Sequence, residues 1–170
     1  MPDKVIYSVI SADDFKEGMR QLAASVTVIS VTHNGTRDGL TATATCSVSA
    51  EPPQLLICVN RDAGAHDLIQ KEGVFGVNVL ARNQEDIAKR FAGIDGTDRE
   101  DRYGLGSWTE IVTGAPILEG ALAGFDCQVA KRMTAGTHSI FIGRIVGIKY
   151  RDGPPLIYRD GQFTGLFSWE

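Results

Sequence analysis

The chain has 170 residues, 43% of them hydrophobic, and a formal net charge of −4, a size and composition typical of one globular domain. The acidic balance argues against a nucleic-acid-binding surface, which needs clustered basic residues, and no apolar run reaches the roughly 18 residues of a membrane helix. The first residues, MPDKVIYS, lack the apolar core of a signal peptide. We therefore expect a single soluble, cytoplasmic domain over residues 1–170.

The first predicted element is a helix over residues 12–24. Ser11 offers a capping hydroxyl, two aspartates follow in the first turn, and apolar residues recur at helical spacing. The next residues alternate and are rich in β-branched types, which predicts a strand that ends at Asn34-Gly35, a strong hairpin signal. A second strand is predicted from about Gly39 to Ser49, and a short apolar strand over Gln54–Asn60.

The middle of the chain combines two helices with one strand and a polar segment. A short helix is predicted over Ala65–Lys71, a strand over Val74–Leu80, and a further helix that Asn83 can cap. In that last helix, two apolar residues four positions apart share a face. Residues 93–107 are charged and contain several glycines, which predicts a solvated surface excursion with one helical turn.

The last third of the chain is predicted to be mostly strand. Phe125–Met133 and Ser139–Tyr150 are long alternating runs separated by a turn that contains Gly136, and Leu156–Phe167 reads as a hairpin around Asp160-Gly161. Six or seven strands, joined mostly by hairpin turns, predict a mainly β fold that closes as an antiparallel barrel. The strands at 54–60 and 74–80 are joined by a helical pattern, so a parallel arrangement of these two remains open.

Common catalytic patterns are missing from the sequence. It contains no nucleophile elbow, phosphate-binding Walker loop, dinucleotide-binding glycine triplet or metalloprotease helix motif. The three histidines stand alone at positions 33, 66 and 138, and the three cysteines at 46, 58 and 127 are far apart. We therefore predict neither a metal site nor a disulfide framework.

The most informative segment is DGLTATATCSVS, residues 38–49. In a strand, one face would carry the four hydroxyls of Thr41, Thr43, Thr45 and Ser47. The other face would carry the small or apolar side chains of Ala42, Ala44, Cys46 and Val48. Small side chains leave a trough for a flat ring, and hydroxyls can bind polar ring edges. An edge strand with threonines facing solvent explains the same pattern. His138, at the start of a long apolar strand, can be a ligand contact, a proton donor or a surface residue, and taken alone its position favours the surface residue.

The order of the motifs resembles the short-chain flavin reductases with an FMN-binding split barrel, which are reductase components of two-component flavin monooxygenases. The resemblance runs from about Phe15 to Phe167 and rests on VTVIS, the NG turn, DGLTATATCSVS, PPQLLICVN, FGVNVL, RFA and AGTHSIFIG. It implies a mainly β fold, an antiparallel six- to seven-stranded split β-barrel with a few short flanking helices.

The resemblance also implies a flavin site. The ring and its ribityl chain would lie along Thr41, Ala42, Thr43, Ala44, Cys46 and Ser47, with the wall continued by Cys58, Val59, Asn60 and Arg61. The phosphate side would be the loop Asp62, Ala63, Gly64, Ala65 and His66, and the end of a helix would contribute Arg90, Phe91 and Ala92. Family members usually carry Ser or Thr in that loop. Their absence leaves the phosphate to Arg61, to backbone N–H groups and to the helix after Gly64.

A nicotinamide site is implied beside the flavin. His138 matches the histidine of the family's Gly-Asp-His motif, although Thr137 stands in the place of the aspartate. The last hairpin, with Tyr158, Arg159 and Gly161, matches the region that closes over the nicotinamide.

The implied reaction is hydride transfer from C4 of NADH or NADPH to N5 of FMN or FAD, with the reduced flavin passed to a partner monooxygenase. A homodimer is also implied, and it would bury apolar residues near the C-terminus, namely Phe163, Leu166, Phe167 and Trp169. Two alternatives remain open. One is a flavin- or heme-binding split barrel without reductase activity, and the other is a non-enzymatic interaction domain that uses the hydroxyl strand as an oligomer edge.

Overall fold

The computed structural model describes residues 7–166. Within them lie three α-helices and two short 3-10 helices, namely α1 (Ala12–Met19), α2 (Gly64–Glu72), α3 (Glu85–Ala92), and the 3-10 helices Arg82–Gln84 and Arg99–Gly104. The strands are β1 (Ala24–Ser25), β2 (Thr27–His33), β3 (Thr36–Ala42), β4 (Thr45–Ala50), β5 (Pro53–Asn60), β6 (Val74–Val79), β7 (Trp108–Thr109), β8 (Ile117–Leu118), β9 (Ala123–Ala135), β10 (His138–Tyr150), β11 (Ile157–Arg159) and β12 (Gln162–Thr164). None of the helices in residues 7–166 is long and apolar enough to cross a membrane.

Seven of these strands form one antiparallel sheet in the order β3-β2-β6-β9-β10-β5-β4. The first and last strands of that order follow each other in the chain and are joined by Thr43 and Ala44 alone, so the sheet curls round until its two edges meet. This confirms the predicted split barrel. Within the described residues β5 and β6 do not pair and every ladder is antiparallel, so the parallel alternative for these two strands is wrong.

Two hydrophobic clusters lie on opposite faces of the sheet. An interior cluster fills the barrel and includes Ile29, Phe75 and Phe141, with Ile69 of α2 packed into it. An outer cluster lies between the sheet and α3 and includes Phe91. β2 contributes to both clusters. Five successive residues of that strand are therefore buried, and neither of its faces is turned to solvent there.

The N-terminal helix is shorter than the predicted 12–24. The Ser11 hydroxyl accepts the N–H of Asp14 at 3.0 Å, as the sequence predicts for a cap, but α1 ends at Met19 and buries none of its residues. The remaining residues continue toward β1, which pairs with β11. That long-range pairing overrides the local helical pattern. Tight turns are confirmed at Asn34-Gly35 and Asp160-Gly161, where all four residues have positive φ.

Two further predictions need correction. The single strand predicted from Gly39 to Ser49 is broken at Thr43–Ala44, because the chain must pass there from one edge of the sheet to the other. Asn83 does not cap α3 and lies inside a 3-10 helix, where the Gln84 side-chain carbonyl accepts the N–H of Ala81 at 2.9 Å instead.

Candidate functional site

A cleft opens beside the link between β3 and β4. Its volume is about 300 Å³, and it is lined by the end of β3, the end of α3 and the last hairpin, with the residues Val26, Thr41, Ala42, Thr43, Ala92, Ile94, Tyr158, Gly161 and Phe163. A groove of about 550 Å³ continues from it beneath α1 and shares Thr43, Tyr158 and Gly161 with it. The structure therefore brings the threonine segment and the last hairpin together, as the site prediction requires.

The apolar side of α1 forms one wall of this groove. Phe15, Met19 and Leu22 line it and remain largely exposed. The end of the helix is held to the last hairpin, because the N–H of Asp160 donates to the carbonyl of Arg20 at 3.1 Å. Arg159 contributes through a hydrogen bond from its guanidinium to the side chain of Gln21 at 3.1 Å. Arg159 thus positions α1 at the rim of the groove.

The four hydroxyls of residues 41–47 do not form one ligand-facing row. The Thr41 hydroxyl donates to the carbonyl of Ala88 at 2.7 Å, which docks α3 on β3. The Thr45 hydroxyl lies 3.2 Å from that of Thr27. Thr43 and Ser47 are exposed, as are Ala44 and Cys46. The threonine segment therefore has a double role, since some of its hydroxyls fix the protein and others face solvent.

The end of α3 contributes one of its three predicted residues to the cleft. Ala92 lines it. Phe91 is 1% exposed and packs edge-on against Tyr103, with ring centroids 5.1 Å apart. Arg90 is paired with Asp95 at 2.5 Å, and the hydrogen bond from that guanidinium lowers the pKa of the Asp95 carboxyl. The Phe91 side chain therefore belongs to the outer cluster and not to the cleft wall.

The end of β5 contacts the link between β3 and β4, which consists of Thr43 and Ala44. The Cys58 N–H donates to the carbonyl of Ala44 at 3.1 Å, and partial burial raises the pKa of the Cys58 thiol. The Val59 side chain is buried in the interior cluster, so only its backbone can contact a ligand. The Asn60 carbonyl oxygen of the side chain accepts the N–H of Asp62 at 2.9 Å, which fixes the start of the loop that follows.

That loop borders a separate polar cavity of about 570 Å³. The cavity lies between α2 and the β9–β10 hairpin, and Arg61, Asp62 and His66 line it. The buried ring of His66 has its Nε2 2.9 Å from the hydroxyl of Ser139 and its Nδ1 3.0 Å from the carboxylate of Asp67. The hydrogen bond with His66 lowers the pKa of Asp67. Ala63 and Gly64 are half-buried at the start of α2, and Ala65 is buried against the interior cluster.

His138 lies with the end of β5 and not with the last hairpin. It pairs with Asn60 in the β5–β10 ladder, the Arg61 N–H donates to the carbonyl of Thr137 at 3.0 Å, and the Thr137 hydroxyl lies 2.9 Å from Nδ1 of His138. The imidazole is exposed. Within one chain, the structure therefore does not bring His138 into the cavity that Tyr158 and Gly161 line.

A buried ionic cluster was missed by the sequence analysis. Asp38, in β3, is 2% exposed, and its carboxylate is paired with Arg99 of the second 3-10 helix. Arg102 of the same helix donates to the carbonyl of Gly39 at 2.8 Å, and the Tyr103 hydroxyl donates to the carbonyl of Asp38 at 2.7 Å. The prediction that residues 93–107 form a solvated charged face is therefore wrong for Arg102 and Tyr103, whereas most of the segment, Arg99 included, is exposed. The available signal was an aspartate inside a predicted barrel strand, β3.

The chain is similar in sequence and in structure to known proteins of one family. The family model of the flavin reductase like domain matches residues 19–166. FMN reductase (NADH) RutF of Stutzerimonas stutzeri is 38% identical over 157 residues, which cover 92% of this chain and 89% of that protein. BorF, the flavin reductase component of a bacterial two-component tryptophan halogenase, is 34% identical with a TM-score of 0.84, over 94% of this chain and all of that chain. The homologue of nitrilotriacetate monooxygenase component B from Mycobacterium thermoresistibile is 28% identical with a TM-score of 0.84, over 91% of this chain and 86% of that chain.

Proposed function

Because the chain belongs to the flavin reductase like domain family, we propose that it is an NADH-dependent flavin reductase that delivers reduced flavin to an oxygenase. The observation that carries the proposal is the continuous opening along β3, where the cleft and the groove share Thr43, Tyr158 and Gly161. Relatives named FMN reductase (NADH) support FMN and NADH as the pair of substrates.

The lining of the cleft fits a flat ring. Its floor is lined by the small residues Thr41, Ala42 and Thr43, and its rim carries Tyr158 and Phe163, whose rings are 5.3 Å apart. Small side chains let a ring approach the backbone, and aromatic rims shield it from water. The described lining contains no histidine or cysteine, so it favours a flavin over a heme that needs an axial ligand from these side chains.

The work of the protein in this proposal is positioning. A bound flavin would supply the acceptor for the hydride of NADH, and no side-chain nucleophile is needed for that exchange. The exposed Thr43 hydroxyl can bind a polar edge of the ring, while the hydrogen bond from Thr41 to α3 keeps the floor flat. Holding two rings within about 3–3.5 Å of each other can account for most of the rate enhancement.

The phosphate end of the flavin is proposed to lie along the loop from Asn60 to His66. Arg61 offers a cation there, and no side chain caps the N-terminus of α2, where uncapped backbone N–H groups can bind an anion. The loop lacks the hydroxyls that family members usually carry at this place. We therefore expect weak, exchangeable binding of flavin, as a reductase that hands its product to another enzyme requires.

Two separate groups of residues are proposed to contact the nicotinamide. His138 is at the Asn60 end, whereas Tyr158 and Gly161 face the groove beneath α1. Only replacement of the group that contacts the nicotinamide should raise the KM for NADH more than the KM for FMN. Steady-state kinetics of His138→Ala and Tyr158→Ala, measured separately, would show which residue contacts the nicotinamide. If a substitution raises the KM for NADH and the KM for FMN equally, the replaced residue is not a nicotinamide contact.

The proposal includes assembly of the protein as a homodimer in the cytoplasm. β4 is an edge strand whose Cys46, Ser47 and Val48 are exposed, and β10 presents Ile148 and Tyr150 to solvent, so both strands offer surface that a second copy can cover. Leu166 is also exposed, whereas Phe167 and Trp169, predicted for the same interface, lie outside the described residues. Light scattering should give twice the chain mass of 18.3 kDa.

The deciding experiment is a spectrophotometric assay at 340 nm with purified protein, carried out on the four combinations of NADH or NADPH with FMN or FAD. We expect flavin-dependent oxidation that is fastest with NADH and FMN. Faster turnover with FAD or NADPH would correct the choice of substrate. Stable flavin binding without any oxidation would show a binding protein and refute the reductase proposal. A partner oxygenase is tested by adding the reduced flavin mixture to a candidate oxygenase and measuring product formation.

A further inference from the structure

Asp38 connects three parts of the molecule through one buried carboxylate. It belongs to β3, four residues before the Ala42 that lines the cleft. Its carboxylate is paired with Arg99 and lies 3.7 Å from the guanidinium of Arg102, and one of its oxygens accepts the N–H of Gly39 at 2.7 Å. β3 and the 93–107 segment are thereby fixed to each other.

The Arg99 guanidinium extends this connection to α2. It lies directly against Gly64, the first residue of the helix, so closely that a Cβ at position 64 would collide with it. The hydrogen bond from Arg99 to Asp38 raises the pKa of the guanidinium, and the Arg99 side chain is still 52% exposed. One face of the guanidinium therefore meets the carboxylate, and the rest borders the loop before α2.

These contacts join the two ends of the proposed flavin site. The ring end is the β3 segment at Thr41–Thr43, and the phosphate end is the loop that leads into Gly64. β3 and β4 share no ladder in the described part of the chain. The Cys58 N–H bond to the Ala44 carbonyl is one tie between the link and β5, and the contacts of Asp38 and Arg99 form a second tie between the two ends. A buried carboxylate is suited to this role, since removing one partner of a buried ion pair is strongly destabilising to the local arrangement.

We propose that Asp38 is a positioning residue of the flavin site, which acts through Arg99 and sets the distance between the ring end and the phosphate end. This inference rests on the proposed function. It explains why Gly64 stands where a side chain would displace the guanidinium, and why an aspartate occupies the strand beside the threonine segment. Asp38 itself contacts no reacting atom.

The test compares FMN with riboflavin, which has the same ring and no phosphate. In Asp38→Asn, the phosphate end is displaced while the ring floor remains. We expect the KM for FMN to rise about tenfold with kcat little changed, the pattern of lost uniform binding. The KM for riboflavin should stay within about twofold of its original value. Flavin fluorescence quenching gives the two affinities independently of turnover.

Asp126→Asn is the matched control. Asp126 is also a fully buried aspartate, and it accepts the N–H groups of Val112 and Thr113 at 2.7 and 2.8 Å, but it contacts neither β3 nor α2. Both variants should lose stability, because each leaves buried donors without a charged acceptor. Only the change at Asp38 should alter the preference for FMN over riboflavin.

A second variant keeps the test independent of folding. Arg99→Met removes the guanidinium from a half-exposed position and leaves Asp38 with Arg102 and the Gly39 N–H, so it should fold and reproduce the loss of FMN preference. An unchanged preference in both Asp38→Asn and Arg99→Met overturns the proposal, as does an equal loss in Asp126→Asn. An inactive wild-type protein that still prefers FMN in quenching would refute the reductase function and leave the positioning role supported. Equal affinity of the wild-type protein for FMN and riboflavin would overturn the positioning role.

Discussion

Replacing Phe91 tests whether its ring contacts the ligand or packs in the hydrophobic core. The family resemblance assigns it to the flavin site, whereas the structure buries its ring at 1% exposure beneath α3. The ring lies 5.1 Å from that of Tyr103 and 5.3 Å from that of Trp108, centroid to centroid. We therefore expect Phe91→Ala to act mainly on stability.

The magnitude follows from this environment. Truncating a fully buried phenylalanine costs about 3–5 kcal/mol, and the two aromatic contacts place the site toward the upper end of that range. In a protein of this length the loss corresponds to a fall in Tm of roughly 6–20 °C. It is a large share of the roughly 5–15 kcal/mol that stabilises a typical domain.

The assay is urea unfolding followed by far-UV circular dichroism, together with the KM for FMN measured under folding conditions. Phe91→Leu is the milder variant if the alanine protein does not fold. Phe15→Ala is the matched control, because that ring is largely exposed, and we expect it to change stability by less than about 0.5 kcal/mol. A Phe91 variant that loses less than about 1 kcal/mol while its KM for FMN rises would refute the core assignment.

Three further predictions concern the same region and its surroundings. Gly39→Ala puts a Cβ 2.5 Å from a carbonyl oxygen of the neighbouring strand, and we expect a loss of about 1–3 kcal/mol in urea unfolding. Burial raises the pKa of Tyr103, so the folded state holds the phenolic proton more tightly than the unfolded state, and stability should fall as the pH rises above about 10. Tyr103→Phe should show a smaller fall when unfolding midpoints at neutral and alkaline pH are compared. Burial raises the pKa of the Cys58 thiol and that of Cys127 to about 12, so mass spectrometry should find the exposed Cys46 alkylated first and Cys127 last. Rapid alkylation of Cys127 in the folded protein would contradict its burial.

The barrel was predictable because its signals are local. The Asn34-Gly35 and Asp160-Gly161 turns have the residues that positive φ requires, and the alternating runs before and after Gly136 become β9 and β10. The end of α1 and the break at Thr43–Ala44 were not predictable in the same way. The end of α1 depends on the pairing of β1 with β11, which are far apart in the chain. The break depends on β3 and β4 lying at opposite edges of the seven-stranded sheet, and that order is a property of the whole sheet.

The candidate site also contains residues that could be predicted from the sequence and residues that could not. Residue types and order indicated Thr41, Thr43 and Tyr158, and the structure brings these three side chains to one opening. The ion pair of Asp38 with Arg99 joins residues 61 positions apart, and no spacing rule connects such a pair. Charged residues in a polar segment are usually solvated, so the pairing of Arg99 with the buried carboxylate of Asp38 can be read only from the folded chain.

The two-residue link between β3 and β4 has a mechanical consequence. The ladders of these strands lie on their outer sides, with β2 and β5, and at the link itself the Thr27 hydroxyl contacts both ends. Widening the opening would leave every described ladder intact, but it would separate the Thr27 hydroxyl from Ala42 or Thr45. The Thr27 hydroxyl is thus a side-chain contact that holds β3 and β4 together at the link, where these strands share no ladder in the described residues. A glycine at position 44 would give the link more backbone freedom and a proline would restrict it, so the two substitutions should change the width of the opening without altering the residues that form the floor.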